Sequence, residues 1–451
     1  MIKAMVQDFL FVILFFVIPF LFSWIMNKIG YPVTRLSIPS FTFVSMILLG
    51  YAGYFLLYFQ LIDYRVAIGI ERQDLVLTAW MASSFTIVSM VLGFFLFARA
   101  FATSRLKPNR SVFINELLPF EHFALFVLLT LSLLVLLLYL VQIPKVALLV
   151  SIMGGGEDSK FVRSEMGNNF SGKYHWYSLF MHDVAKLVAF SFFAQWRLTK
   201  KKLAGFMFFL SFLLVAFSTL MATEKAPFAW FILGLFLVHT IVKNRGRIRV
   251  GGALFSIGLM LAFLILAYQV FMGSGDALAA VQHAFSRALT GSTGSSYFYL
   301  EFVPDQQGFL LGRSFPNPAG ILPFEHFRLT VELMQWRFPA EARSGIVGSS
   351  PSVFWTELYA NFGWFGLLIP AVFVGFMLAV LDFFVNTICI SPIVVGLNVW
   401  LLLHFKSLAT SGISNYIVDM PLWVLVALVL LITLMCRRKL GCRSGKTLVV
   451  S

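Results

Sequence analysis

The sequence predicts an all-α polytopic integral membrane protein, and three observations lead there. Hydrophobic residues fill 59% of the 451 positions and charged residues only 12%, whereas soluble domains carry roughly 25% charged residues. Apolar runs of 18 or more residues recur from end to end, which is the length a helix needs to cross a bilayer. Lysine and arginine gather in short clusters between those runs, as they do in loops on the cytoplasmic side of a membrane. The formal net charge of +14 is therefore spread over many small clusters and forms no nucleic-acid surface.

Taken in order, the apolar runs place spans near 7–27, 38–62, 76–98, 119–142, 176–196, 204–221, 227–242, 252–272, 362–386, 390–405 and 418–436. That makes about 11 helices, within a range of 10–13, counted from the runs themselves. The first run, Phe9–Met26, has no A-x-A-like site after it, so it reads as a retained helix and not a signal peptide. The clusters Lys28/Arg35, Arg99/Arg105/Lys107/Arg110, Arg197/Lys200/Lys201/Lys202, Lys243/Arg245/Arg247/Arg249 and Arg437/Arg438/Lys439/Arg443/Lys446 all fall on one side of this arrangement. By the positive-inside rule that side is the cytoplasm, which puts the C-terminus inside and the N-terminus outside.

Two connections on the far side are long, 143–175 and 273–361. The others are short, so residues 1–451 read as a single membrane domain with no soluble domain and no internal repeat. Cys389, Cys436 and Cys442 all avoid the long connections, so neither a disulfide framework nor a zinc site is expected.

The arginines of those connections are the chemical signal. The second carries Arg287, Arg313, Arg328, Arg337 and Arg343 and no lysine, while the first adds Arg163 beside Lys145, Lys160 and Lys173. A guanidinium presents a fixed fork that grips phosphate or carboxylate oxygens in pairs and stays charged at any relevant pH. One reading pairs these arginines with Glu301, Asp305, Glu325, Glu332 and Glu341; the other makes them a site for a polyanion. "TGSTGSSYFYLEF" sets Tyr297 and Tyr299 behind a Gly/Ser stretch. They serve either as interfacial belt residues or as ring faces for a sugar.

Lys225, in the turn "MATEKAPFAW", either pairs with Glu224 or sets one compact charge over the mouth of the bundle. His182, Asp183 and Lys186 lie inside the span near 176–196, and the i, i+3 spacing of the last two predicts a structural ion pair. No HExxH, GxSxG or P-loop is present, and of the seven histidines only His283 and His326 in the second long connection are candidate bases.

Three stretches, "LMATEKAPFAWFILGL", "SRALTGSTGSSYFYLEFVPDQQGFLLGRSF" and "GSSPSVFWTELYANFGWFGLLI", occur in this order across roughly residues 200–385. Together they resemble the Wzy-type O-antigen and capsule repeat-unit polymerases. The resemblance implies a GT-C-like membrane glycosyltransferase that works on the periplasmic face without metal or nucleotide sugar. Its donor and acceptor would be oligosaccharides on undecaprenyl diphosphate, and a chain-length-determining co-polymerase would be its partner. Carried onto this sequence, the resemblance assigns the turn lysine to Lys225 and the arginine opening the second motif to Arg287. Gly312 and Ser314 then flank Arg313, and the acidic–aromatic helix start falls on Glu357, Tyr359, Asn361 and Gly363. The family's arginine-to-glycine spacing is met by Arg337 and Gly348 but not by Arg163, where Tyr174 stands instead of glycine.

With a diphosphate as the anion, Arg287 and Arg343 are expected to grip it, with Lys225, Arg313, Arg337 and Arg163 as further positive groups. Glu357 and then His326 are the candidate bases for the acceptor hydroxyl, and Tyr297, Tyr299 and Tyr359 line the glycan. An O-antigen ligase, which passes the same donor's glycan to a lipid A core, is the nearest alternative. A lipid-linked oligosaccharide flippase is the alternative of another class.

Overall fold

A helix that is apolar on every side has to be surrounded, by protein within a core or by lipid outside it. The computed structural model shows both environments on the same helices. It describes residues 2–61, 69–102, 117–153, 162–163, 165–167, 170, 174–249, 251–252, 254–256, 258–259, 262, 277–317, 320–343, 348–387, 391–417 and 419–439. Among them every regular element is helical, and the only strand-like feature is an isolated bridge between Arg35 and Arg247. Eight described helices are long and apolar enough to cross a membrane, as a polytopic membrane protein requires.

The principal helices are α1 (Ile2–Lys28), α2 (Ile38–Gly50), α3 (Gly53–Tyr58), α4 (Gln73–Ala102), α5 (Pro119–Gln142), α6 (Tyr174–Ser178), α7 (Ala185–Thr199), α8 (Lys202–Leu220), α9 (Lys225–Asn244), α10 (Ala277–Phe302), α11 (Leu329–Arg337), α12 (Phe354–Thr387), α13 (Pro392–Phe405) and α14 (Met420–Lys439). Between α6 and α7 the chain continues without a break through a π-helix, Leu179–Val184. Large apolar side chains such as Phe20, Phe123, Phe206 and Phe373 lie exposed along these helices, as a lipid-facing surface allows. Inside, small polar residues bond back to their own helix: Ser84, Thr86 and Ser89 donate to the carbonyls of Trp80, Ala82 and Phe85. In a bilayer that is how a hydroxyl is satisfied without water.

The chain divides into two compact units: Met1–Arg110, Gly246–Thr387 and Leu401–Asp419 form the first; Ser111–Arg245, Ile388–Trp400 and Met420–Ser451 form the second. In the first, the most extensive helix pairing is α4 with α12. Glycine sets its distance, because a Cβ on Gly93 would collide with the carbonyl of Val372, and one on Gly375 with that of Met90. Small residues let helix backbones touch, which is how helices associate when lipid removes the hydrophobic difference between inside and outside. Asp382 of α12 accepts from the Ile38 N–H at 2.8 Å, capping a first-turn donor of α2 that no intrahelical carbonyl reaches. Tyr51 and Tyr58 then tie α1 down, donating to Phe15 O at 3.0 Å and to Asp8 Oδ1 at 2.6 Å.

In the second unit, α7 packs on α8 and α9, with Phe190 stacked 5.5 Å from Phe231. Glu121 closes the start of α5: Oε2 accepts from Leu118 N at 2.9 Å, and Oε1 from Ser391 Oγ at 2.8 Å.

Several expected spans coincide with these helices, and one starts elsewhere. The expected span 38–62 is met by Ile38–Tyr58, with a turn at 51–52 between α2 and α3, and Gly53 leaves no room for a Cβ against the Leu289 carbonyl. The expected span 362–386 starts eight residues early, at Phe354. Most of the expected span 252–272 lies outside the described residues, as do parts of 143–175. The stretch 273–361, read as a long loop, contains the 26-residue helix α10. Its "TGSTGSS" is helical because small side chains admit close neighbours: Ser296 bonds Tyr54 at 2.6 Å, and Ser295 bonds Ser350 at 3.0 Å.

If the α4–α12 crossing depends on missing side chains, Gly93→Val and Gly375→Val each lower the thermal unfolding midpoint, by the equivalent of about 1–3 kcal/mol for overpacking. Gly258→Ala, where nothing lies within 4 Å of the new methyl, leaves it unchanged. A fluorescence-detected unfolding series in detergent reads both outcomes, and an unshifted Gly375→Val midpoint would show that the crossing is loose.

Candidate functional site

The start of α12 is bent before it becomes a long apolar helix. Gly363 has φ 58° and ψ −148°, a backbone state that side-chain-bearing residues avoid. It divides the helix into a buried first part, 354–362, and an apolar second part. Against that bend sits the turn of "FLLGRSF". Its backbone reads the end of the first part directly: Leu310 N donates to Ala360 O at 2.9 Å and Leu311 N to Asn361 O at 3.1 Å. Gly312, at φ 97°, lets the turn reverse, and its N–H donates to Asn361 Oδ1 at 2.8 Å.

A chain of hydrogen bonds runs inward from there. Asn361 Nδ2 donates to Ser314 Oγ at 2.7 Å and to the Glu357 carbonyl at 2.7 Å, and Ser314 Oγ donates to Glu357 Oε1 at 2.9 Å. Ser414 completes the ring, its hydroxyl donating to Oε1 and its N–H to Oε2 at 3.1 Å. Gly412 lies so close to Oε2 that any side chain there would displace the carboxyl group. Glu357 is 7% exposed. A carboxylate at such depth is tolerated only when donors surround it, and here three donors from two distant segments do so.

Around this core the expected site residues separate into groups. His326 is exposed, with Nδ1 3.1 Å from Phe315 O. A carbonyl only accepts, so Nδ1 carries the proton and Nε2 is left as the basic nitrogen. Arg313 stands beside it, because Phe327 N donates to Arg313 O at 2.8 Å and pairs the two strands of chain; the Arg313 guanidinium lies 5.9 Å over the Phe327 ring. Arg287 and Arg343 are exposed, the latter donating from Nε to Pro339 O at 3.1 Å. Of the acids weighed as partners for these arginines, the Glu341 side chain lies outside the described residues. Among them no carboxylate lies within 4.0 Å of Arg287, Arg313, Arg328 or Arg343.

Arg337 is committed to packing: its guanidinium lies 3.6 Å over the Phe298 ring and 4.6 Å over Phe338, pinning α11 to α10 for about 0.5–2 kcal/mol. Tyr299 is 2% exposed and donates to Ser350 O at 3.0 Å. Burial first, and the Glu357 carboxyl second, holds its phenol well above the ordinary value. Tyr297 is buried as well, accepting from Arg72 N at 3.3 Å. Neither ring face is open to a sugar, so the two tyrosines hold α10 in place instead of lining a glycan. Tyr359 is buried edge-on between Phe309 and Trp364.

Arg163 belongs to the second unit and is paired with Glu224 at 2.5 Å. Lys225 opens α9 in that unit, and its side chain lies outside the described residues, as does that of His283. Asp183 and Lys186, expected to pair, are not within ion-pair distance of each other.

No protein-family model, no curated protein and no solved structure matches the chain. The geometry of the site therefore stands on its own residues. Sequence reading missed Gly412 and Ser414, whose only signal was "TSGISN" interrupting an apolar stretch after the buried Lys406. It also missed Arg72, which lies on a short connection, pairs with Asp74 at 2.8 Å and meets Tyr297 through its backbone.

Glu357→Ala leaves the Ser414 N–H and two hydroxyls without their acceptor, costing about 1–3 kcal/mol for each group stranded. Gly412→Ala pushes on the same oxygen, so both variants are expected to lower the unfolding midpoint and to speed proteolysis at residues 310–328. Normal resistance to protease in both would mean that the turn does not depend on the carboxyl group.

Proposed function

We propose that this protein is a bacterial inner-membrane glycosyltransferase that polymerises oligosaccharide repeat units carried on undecaprenyl diphosphate. The product is an O-antigen or a related surface polysaccharide. The site faces the periplasm, the C-terminus is cytoplasmic, and a chain-length-determining co-polymerase is the expected partner. One observation carries the reading. Arg313 and His326 sit together on a turn fastened to the start of α12 by Asn361 and Glu357, while Arg287 and Arg343 have no carboxylate partner among the described residues.

The chemistry divides among these groups. The acceptor sugar's hydroxyl attacks the anomeric carbon of the growing chain and gives its proton to His326 Nε2. The new glycosidic C–O bond forms as the bond from that carbon to the diphosphate breaks, and undecaprenyl diphosphate leaves with the electron pair. Charge builds on the diphosphate in that step, and forked guanidinium donors stabilise it. Arg313, Arg287 and Arg343 take that role. The surrounded carboxyl of Glu357 holds the turn in position, so between the two candidate bases His326 is the better placed.

Purified protein incubated with a lipid-linked repeat unit is expected to give a ladder of polymer without added metal or nucleotide sugar. His326→Ala lowers the rate by about 10²–10⁴-fold, the usual worth of a general base. Arg313→Ala and Arg287→Ala each lower it by about 10²–10³-fold. Folded protein that makes no ladder from any lipid-linked unit would end the polymerase reading. Separately, Arg343→Lys keeps the charge and loses the fork, so it is expected to be strongly impaired; full activity would show that charge alone is needed there.

A further inference from the structure

We propose that residues 308–315 form a membrane-dipping turn. Phe309 and Leu311 enter the acyl layer of the leaflet at the start of α12, and Arg313 is thereby held at the depth of the lipid headgroup phosphates. Such insertion goes beyond the polymerase reading and does not rest on it.

The long helix α12 gives the depth. After the bend at Gly363 it runs on to Thr387, about 36 Å at a rise of about 1.5 Å per residue. A hydrocarbon core is about 30 Å thick, so this second part crosses it alone. Residues 354–361, before the bend, are buried by protein. Exposed apolar side chains begin directly after it: Trp364, Phe365, Leu368, Ile369 and Phe373, spaced to make one stripe of the helix. Trp364 heads the stripe, where tryptophan favours the boundary between water and lipid. Gly363 therefore marks the edge of the bilayer.

The turn is fastened at that edge. Its Leu310 and Leu311 amides are spent on the carbonyls of Ala360 and Asn361. A Cβ on Gly363 would lie 3.3 Å from the Phe309 ring, and Tyr359 joins Phe309 to Trp364, with ring centroids 6.0 Å away on either side. The exposed rings of Phe309 and Trp364 thus carry the lipid-facing stripe onto the turn.

Leu311 shows what the turn presents there. Its φ of 50° is left-handed, a conformation that glycine or asparagine adopts at less cost than a bulky residue. With its side chain 75% exposed, the leucine gains little packing within the protein in return. Ile321 and Leu322 are exposed farther along the same connection, whereas turns in water are built from small and polar residues. Acyl chains cover such side chains favourably, and water does not. Arg313 is exposed two positions after Leu311, so a leucine seated in lipid leaves the guanidinium among headgroup phosphates.

Photolabelling tests this without a variant at first. The whole chain is placed in nanodiscs containing a phosphatidylcholine with a diazirine in its acyl chain, illuminated, and its adducts are mapped by mass spectrometry. Adducts are expected on Phe309 or Leu311 as well as along 364–373, and not on 325–328. Leu311→Asn relaxes the backbone, so it is expected to keep or raise the unfolding midpoint in detergent while losing the adducts on the turn. Adducts along the apolar helices with none on the turn overturn the proposal. So does labelling of 325–328 equal to that of 309–311. A Leu311→Asn protein with a lowered midpoint and an unchanged adduct pattern overturns it too, since the leucine would then be structural. Adducts on the turn of a protein that makes no polymer ladder keep the insertion and remove only the polymerase reading; a ladder without those adducts does the reverse.

Discussion

A carboxyl group sealed inside the bend of a membrane helix is the constraint on which the first unit's site depends. Glu357 has no salt bridge among the described residues, so hydroxyl and amide donors must satisfy it. Those donors come from Ser314, forty-three positions before it, and Ser414, fifty-seven after it. Meeting one buried acceptor thus fixes three stretches of chain at once. The positive φ of Gly363 turns the first part of α12 toward the turn, and Asn361 bonds both the turn and its own helix. Removing the acceptor therefore does more than lose a bond, because each donor is itself buried and has no water to fall back on.

The arginines obey the opposite rule. Charges that stay exposed need no partner, and Arg287, Arg313 and Arg343 are exposed and meet no carboxylate among the described residues. Arg337, half-buried, behaves differently: its guanidinium lies 3.6 Å over the Phe298 ring and becomes part of the packing. Residues of one type, close together in sequence, therefore divide into exposed members and one committed to packing. Composition cannot make that division.

Much of the helical plan was legible, because an apolar run of bilayer length leaves the backbone few alternatives. What escaped has a physical cause in each instance. Residues 354–361 hold Glu, Tyr and Asn, so hydropathy starts the span too late, although this part of the helix is bonded by Asn361 and buried by protein. "TGSTGSS" reads as turn chemistry in water, but within a packed bundle the same small residues bring α10 against α3 at Gly53. Arg313 and Glu357 were visible as candidates, while Ser414 was not, because nothing local marks a donor whose acceptor lies so far along the chain. The Asp183–Lys186 pair failed for another reason: i, i+3 geometry assumes an α-helix, and this segment is not one.

That π-helix also changes how the span should be compared with any other sequence. A π-turn accommodates one residue more than an α-turn, so it behaves as an insertion inside a continuous helical stretch, where gaps are not normally sought. Removing one residue from 179–184 would restore the regular ladder while leaving the helix on either side close to its present phase. The apolar faces of α6 and α7 are therefore phased independently, and a helical wheel drawn through both would assign half of this span to the wrong side.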